Sequence, residues 1–163
     1  HLLSRRQRQM CIRDSAMVKE DVAYATCKEE VENILADFRK RGIPVAVINE
    51  HLQGDLVKFY GVHGTDFFYW FYPSPCSHSK FGLEKINGIA KGIPFSVEEL
   101  KIQSDKAAEA LNVPIYGGDC VISADGTLRI IDFNDWPSFA RCREEAGGKI
   151  AECIYNRAKK QMK

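Results

Sequence analysis

The sequence predicts an α+β fold in which helices pack on one face of an antiparallel sheet. Apolar residues recur at helical spacing in three segments, and short β-branched or aromatic runs bounded by turn residues lie between them. Asp125-Gly126, set between two alternating apolar runs, is a strong hairpin signal and makes the last two strands neighbours. The resulting order of helix, three strands, helix, hairpin and helix favours α+β over regularly alternating α/β units.

The first half of the chain is expected to hold one helix and the three strands. A short strand is possible at residues 20–24. Thr26 and Glu29 form a capping box, Gly42 supplies a helix stop and Pro44 follows it, so a helix is predicted over residues 26–42. The apolar run at residues 45–48 predicts a buried strand, and further strands are expected at residues 56–62 and 67–72.

The second half begins with a loop and ends with two helices and the hairpin. Residues 73–92 are rich in Pro, Ser, Gly and Lys and predict a long loop. Ser96 and Glu99 form a second capping box, and the helix they begin ends at residues 112–114. The last helix is predicted over residues 139–161, with Ser138 as its N-cap. Trp136, just before it, is interpreted as a core residue, with a place in a pocket wall as the alternative.

Composition limits the function classes. The chain has 163 residues, enough for one domain with a core, and its net charge of +1 argues against a nucleic-acid partner. No apolar run approaches membrane length. Six cysteines without paired spacing indicate reduced thiols and a cytoplasmic protein. Residues 1–15 are expected to be a translated sequencing adapter without fold, which leaves residues 16–163 as the folded part, a fragment of a longer protein.

The hairpin carries the clearest chemical pattern. A two-residue loop at Asp125-Gly126 sets Asp119 opposite Asp132, and the alternation of side chains brings Asn134 to the same face. Two carboxylates directly opposed across a ladder repel each other, and a cation between them removes that cost. Oxygen-only ligands suit Mg²⁺ or Mn²⁺. A solvated hairpin face, whose acids stay hydrated, is the alternative.

Three blocks in order resemble the C-terminal part of an ATP-grasp domain, the fold of carboxylate–amine ligases. Residues 47–52 are similar to the hinge strand of that family, and residues 54–62 are similar to the strand that carries a phosphate-binding lysine. The hairpin with Asp119, Asp132 and Asn134 matches the metal-ligand pattern, although the second ligand in the family is usually Glu. The resemblance covers roughly residues 17–160. The glycine-rich loop of the family and its upstream lysine strand are not visible, so an inactive fragment is one of the expected outcomes.

The resemblance implies a ligase that uses ATP and Mg²⁺, or Mn²⁺, to join a small-molecule or peptide carboxylate to an amine through an acyl phosphate. Asp119, Asp132 and Asn134 are the implied metal ligands. Lys58 would contact phosphate. Arg141 and Arg143, which open the predicted last helix, are the candidates for holding the acceptor carboxylate. The implied nucleotide-binding residues are Asn49, Glu50, His51, Leu52, Asp55 and Lys58, with either Glu50 or Asp55 on the ribose. An ATP-grasp kinase acting on a small molecule and a non-catalytic nucleotide- or metal-binding module are the alternatives.

Overall fold

A computed structural model describes residues 21–73 and 88–162, and in them the α+β prediction is confirmed. Three helices and one four-stranded antiparallel sheet make up this part of the chain. In chain order the elements are α1 (Lys28–Lys40), β1 (Asp55–Val62), β2 (Phe68–Phe71), α2 (Val97–Leu111), β3 (Ile115–Ile122), β4 (Leu128–Asp135) and α3 (Arg143–Gln161). The predictions for residues 1–15 lie outside the described ranges.

The sheet is open, with strand order β2-β1-β3-β4. Each neighbouring pair is antiparallel, so β1 and β3 form the centre and β2 and β4 form the edges. β1 is joined to β2 by a tight turn and β3 to β4 by the predicted hairpin. The long connection between β2 and β3 contains α2, which allows β3 to pair with β1.

Different helices cover the two faces of the sheet, so the prediction of helices on one face is wrong. Leu100 of α2 lies in a buried cluster with Val57 and Phe59, whereas Ala146 of α3 lies in a second buried cluster with Val62. Side chains separated by an odd number of strand positions point to opposite faces. The two clusters are therefore on opposite sides of the sheet, and α3 covers only one end of its side.

The burial pattern of β3 explains this two-sided arrangement. Seven of the eight residues of β3 are buried, and Asp119 is the exception. A strand that is apolar on both faces needs cover on both, which one layer of helices cannot provide. The near-continuous apolar run from Ile115 to Ile122 is present in the sequence. The prediction was based instead on the face that Asp119 shares with the polar residues of the next strand.

The turn of the hairpin is longer than predicted. β3 ends at Ile122 and β4 begins at Leu128, so Asp125-Gly126 is not a two-residue loop. The Gly126 N–H donates to the Ser123 carbonyl at 2.8 Å, and Gly126 has a φ of 81°, which glycine adopts without steric cost. This loop sets the first pairs of the ladder one residue away from the predicted register.

A bulge in β4 restores the predicted pairing further along. Cys120 pairs with Ile130, but the next pair is Asp119 with Asp132, so Ile131 is an extra residue in β4. One additional residue returns the side chains that follow to the face they would otherwise leave. The opposition of Asp119 and Asp132 is therefore confirmed, although the predicted loop that led to it is wrong.

The segment before β1 differs most from the prediction. Residues 45–48 form no strand, and Val45, Val47 and Ile48 are largely exposed, so the predicted buried strand is wrong. Residues 21–24, the described part of the first possible strand, are not a strand either. α1 is present but buries none of its residues, and Thr26 bonds to Glu30 rather than to the predicted Glu29.

The last two helices begin differently from each other. Ser96 caps α2 as predicted, and its side chain accepts from the Glu99 N–H at 3.0 Å. α3 begins four residues later than predicted, with Cys142 at the N-cap position, so Ser138 does not cap it. Across the described ranges, no helix combines the length and apolar character that a membrane span needs.

Candidate functional site

A row of polar side chains crosses the three strands that follow one another in the sheet. In the ladder, Lys58 of β1 is the partner of Asp119 of β3, and Asp119 is the partner of Asp132 of β4. All three lie on the same face of the sheet, and α3 covers the opposite end of that face. β3 pairs with β1 on one side and with β4 on the other. The registers of these two pairs together place the three charged residues in one line across the sheet.

Each carboxylate of the row receives hydrogen bonds from a side chain. The Lys58 ammonium lies 3.0 and 2.9 Å from the two oxygens of Asp119, and the side chains of this pair are about a quarter exposed. The Asn134 amide donates to Asp132 at 2.6 Å. Asn134 thus shares the face of Asp132 as predicted. The repulsion expected between the two opposed carboxylates is offset here by one ammonium and one amide.

An open groove of about 490 Å³ contains this row. Tyr60, Gly117 and Pro137 line it beside the charged residues. A Cβ atom at Gly117 would lie 2.7 Å from the Tyr60 ring and 2.8 Å from Pro137, so only glycine lets these two side chains close this part of the groove. Burial raises the pKa of the Tyr60 hydroxyl above its ordinary value.

The charge of the groove favours a cation. Asp119, Asp132 and Asp135 line it with Lys58, which leaves an excess of negative charge. Two carboxylates and an amide are hard oxygen donors and fit Mg²⁺ or Mn²⁺, with phosphate oxygens and water completing the ligand set. In the part of the chain that the structure describes, no three His, Cys, Asp or Glu side chains converge on one point. Asp119, Asp132 and the Asn134 amide are therefore the candidate ligands in this groove.

The predicted nucleotide-binding residues at positions 49–52 lie elsewhere. They form no strand, and none of them lines the groove. Asn49, Glu50 and His51 are exposed, and the His51 ring contacts Tyr24 with a centroid distance of 5.0 Å. Leu52 is half-buried. The structure does not bring this block together with the metal-ligand candidates, so its contact with adenine stays a prediction.

Asp55 has a structural role in the fold. It is 3% exposed and lies on the sheet face opposite to Lys58. Burial works to raise its pKa, but the backbone N–H groups of Lys91, Ile93 and Gly92 more than compensate and hold the pKa below 3.8. Two of these bonds, from Lys91 and Ile93, are 2.8 Å long. A contact between Asp55 and ribose would require these donors to be displaced.

Arg141 lies at the edge of the site rather than in it. Its guanidinium carbon is 4.4 Å from the centroid of the Phe71 ring, a cation–π arrangement. The Phe71 ring in turn contacts Tyr60, which lines the groove, with a centroid distance of 5.7 Å. Arg141 itself is exposed and is not part of the groove lining. A ligand extending from the groove past Tyr60 would reach it.

Several residues that line the groove were not expected there. Trp136 was interpreted as a core residue with a pocket wall as the alternative, and the alternative fits the structure, because 61% of its surface is exposed and it lines the groove. Tyr60 and Gly117 were not identified at all. The signal for Tyr60 was its spacing of two from Lys58, which places both on one strand face. No local pattern distinguishes Gly117 from other glycines, because its neighbours Tyr60 and Pro137 are distant in sequence.

The chain matches no protein-family model, no curated protein and no solved structure. The likeness to ATP-grasp domains therefore depends on the three sequence blocks alone, and what it implies for activity is a proposal.

Proposed function

We propose that the chain is part of an ATP-grasp enzyme that binds a divalent metal together with nucleotide phosphates in the groove around Asp119 and Asp132. The row of Lys58, Asp119, Asp132 and Asn134 on one sheet face carries the proposal. The two carboxylates and the amide can bind the metal ion of a metal–phosphate complex, and the lysine can bind its phosphate. The resemblance gives these residues the roles of metal ligands and phosphate contact, and their position on one sheet face supports the proposal.

The residues divide into two roles in this proposal. Asp119, Asp132 and Asn134 would hold Mg²⁺, which when bound neutralises charge on phosphate oxygens. Lys58 would donate to a phosphate oxygen as a point charge. Its flexible side chain and its position next to Asp119 allow it to change partners when a phosphate enters.

The excess of negative charge argues that phosphate arrives with its metal. A bare phosphate would face two or three carboxylates and one ammonium, which is an unfavourable field. A metal-complexed phosphate carries less charge, and the carboxylates then contribute to binding. The proposal therefore favours Mg²⁺–ATP as the species bound, with a carboxylate-bearing molecule as the acceptor near Arg141.

The metal site is tested by titrating the protein with Mn²⁺ and following the free ion by electron paramagnetic resonance. We expect saturable binding that weakens at least tenfold in Asp132→Ala. Asp125→Ala is the matched control, because Asp125 lies on the turn of the same hairpin, outside the groove lining, and loses the same charge. Unchanged binding in Asp132→Ala, with a circular dichroism spectrum that shows a folded protein, contradicts the proposal.

The reaction class is tested with hydroxylamine, which converts an acyl phosphate into a stable hydroxamate. The protein is incubated with Mg²⁺–ATP, hydroxylamine and a set of amino acids and short peptides as carboxylate donors. A ligase is expected to form hydroxamate and ADP in equal amounts. ADP with a phosphorylated hydroxyl and no hydroxamate would identify a kinase instead.

A non-catalytic module that binds metal or phosphate is the second candidate. The observation that favours it is the irregular, exposed course of residues 45–51, which does not form the hinge strand expected to read adenine. Such a module would bind Mn²⁺ at Asp119 and Asp132 but would release no ADP from ATP. ADP release therefore identifies the enzyme, whereas metal binding without ADP release identifies either the module or an inactive fragment of the enzyme.

A further inference from the structure

The loop after β4 holds Trp136 in an unfavourable conformation. Trp136 has a φ of 47°, in the left-handed region that a bulky side chain rarely adopts, and Phe139 has a φ of 48°. Strain of this kind persists only where the surrounding structure enforces it, and it is concentrated at sites of function. The side chain that the strain positions is not buried, because 61% of the surface of Trp136 is exposed.

Several contacts keep the loop in place. The Trp136 N–H donates to the Ile115 carbonyl at 2.8 Å. The Phe139 ring is only 4% exposed and contacts the Tyr60 ring with a centroid distance of 5.3 Å. The lack of a side chain at Gly117 makes room for the proline between the two strained residues. The loop is thus a rigid support for an exposed indole.

The indole lines the same groove as the metal-ligand candidates. Trp136 is the second residue after Asn134 in the chain. It also lines a second groove of about 420 Å³, next to Ile154 and Arg157 of α3. A flat, exposed aromatic side chain therefore lines the groove that holds the site proposed to bind an anion through a metal and Lys58.

We propose that the Trp136 indole is a stacking surface for a planar ring of a ligand whose oxyanion lies at the metal site and Lys58. The substrate class is thus a ring joined by a short linker to a phosphate or carboxylate group. This inference depends on the proposed function for the position of the oxyanion. Stacking on an aromatic side chain tolerates many rings, so it selects flat molecules over aliphatic ones of equal charge.

Fluorescence and calorimetry test this proposal. The chain has two tryptophans, and Trp70→Phe leaves Trp136 as the single indole reporter. In the presence of Mg²⁺, phenyl phosphate and methyl phosphate are compared, and benzoate and acetate are compared in the same way to distinguish the two oxyanions. We expect saturable quenching by a ring-bearing ligand and at least fivefold tighter binding than by its ring-less partner.

The variant Trp136→Gly separates a binding role from a structural one. Glycine adopts positive φ without strain, so this variant is expected to keep or raise the melting temperature while its affinity for the ring-bearing ligand falls at least fivefold. Trp136→Tyr retains a ring and should retain most of the affinity. Equal affinity for ring-bearing and ring-less ligands, or a ring preference that survives in Trp136→Gly, overturns the proposal.

The same measurements distinguish failure of the proposed metal–phosphate site from failure of the proposed stacking surface. If methyl phosphate and acetate fail to bind and Asp132→Ala does not change binding of the ring-bearing ligands, the metal–phosphate site is rejected. Calorimetric binding of phenyl phosphate that weakens at least fivefold in Trp136→Gly would still support the stacking surface. If no ligand of either kind binds to the protein, both proposals are rejected.

Discussion

Replacing Lys58 by Met is expected to change metal affinity and nucleotide affinity in opposite directions. In the structure the Lys58 ammonium bonds both oxygens of Asp119, which are also the atoms proposed to bind the metal. A bare Mn²⁺ ion must displace this ammonium and is repelled by it. A metal–nucleotide complex, in contrast, offers Lys58 a phosphate in exchange for Asp119.

The size of the effect follows from the geometry of the pair. At an effective dielectric constant of about 20, two unit charges roughly 3 Å apart attract by about 5 kcal/mol before desolvation and side-chain entropy are subtracted. The Lys58 and Asp119 side chains are 26% and 22% exposed, so solvent screens them and reduces the net value to about 1 kcal/mol. Affinity for bare Mn²⁺ should therefore rise about fivefold in Lys58→Met.

The affinity for a metal–nucleotide complex should fall. A charge-assisted hydrogen bond from Lys58 to phosphate contributes about 2 kcal/mol, which exceeds the gain at the metal by about 1 kcal/mol. The expected loss is therefore about fivefold. Mn²⁺ with the non-hydrolysable analogue AMPPNP is the appropriate ligand, because turnover does not interfere with calorimetry.

Lys101→Met is a matched control. Lys101 pairs with Asp105 at 2.6 Å, and these side chains are 25% and 23% exposed, close to the values of the Lys58 pair. Lys101 lies on α2 and does not line the groove. Lys101→Met should lower the unfolding free energy about as much as Lys58→Met does. It should change neither the affinity for bare Mn²⁺ nor the affinity for the metal–nucleotide complex. If Lys58→Met shifts both affinities in the same direction, or neither, the reasoning about partner exchange is refuted.

Two further predictions concern stability. The pKa of Asp55 is held below 3.8 in the folded protein, so its stabilising contribution is complete above the unfolded value and is lost as pH falls through the lowered one. The unfolding free energy of the wild type, measured by urea denaturation, should therefore fall more steeply between about pH 5 and pH 2 than that of Asp55→Asn, and parallel curves would contradict this. Ser104 is fully buried and its hydroxyl has no hydrogen-bond partner within the described ranges, so Ser104→Ala should raise the unfolding free energy by up to about 1 kcal/mol. A loss of stability in that variant would show that the hydroxyl has a partner.

The hairpin shows how much of the candidate site could be predicted. The opposition of Asp119 and Asp132 was predicted from a two-residue loop, yet the loop is longer and the extra residue Ile131 restores the register. The longer turn shifts the register by one residue, and the bulge shifts it back by one residue, so the two shifts cancel. A bulge depends on how the edge strand fits its neighbour, which the local sequence does not specify.

The segment at residues 45–48 shows the opposite case. Its apolar β-branched residues satisfy every local criterion for a strand, but a strand also requires a neighbour that accepts its backbone hydrogen bonds. In the described ranges β1 pairs with β2 and β3, and residues 45–48 remain outside the sheet. Propensity alone was therefore insufficient.

Local patterns identified the segments that become α1, α2, α3 and the four strands, because capping residues, turn residues and apolar period act within a few positions of the chain. The same patterns also predicted the strand at residues 45–48 that does not form. Tertiary structure decided what these elements do together. It placed α2 and α3 on opposite faces, aligned Lys58 with two aspartates through the shared strand β3, and exposed Trp136 beside them. These outcomes depend on contacts between residues tens of positions apart, and no periodicity in the sequence encodes such distances.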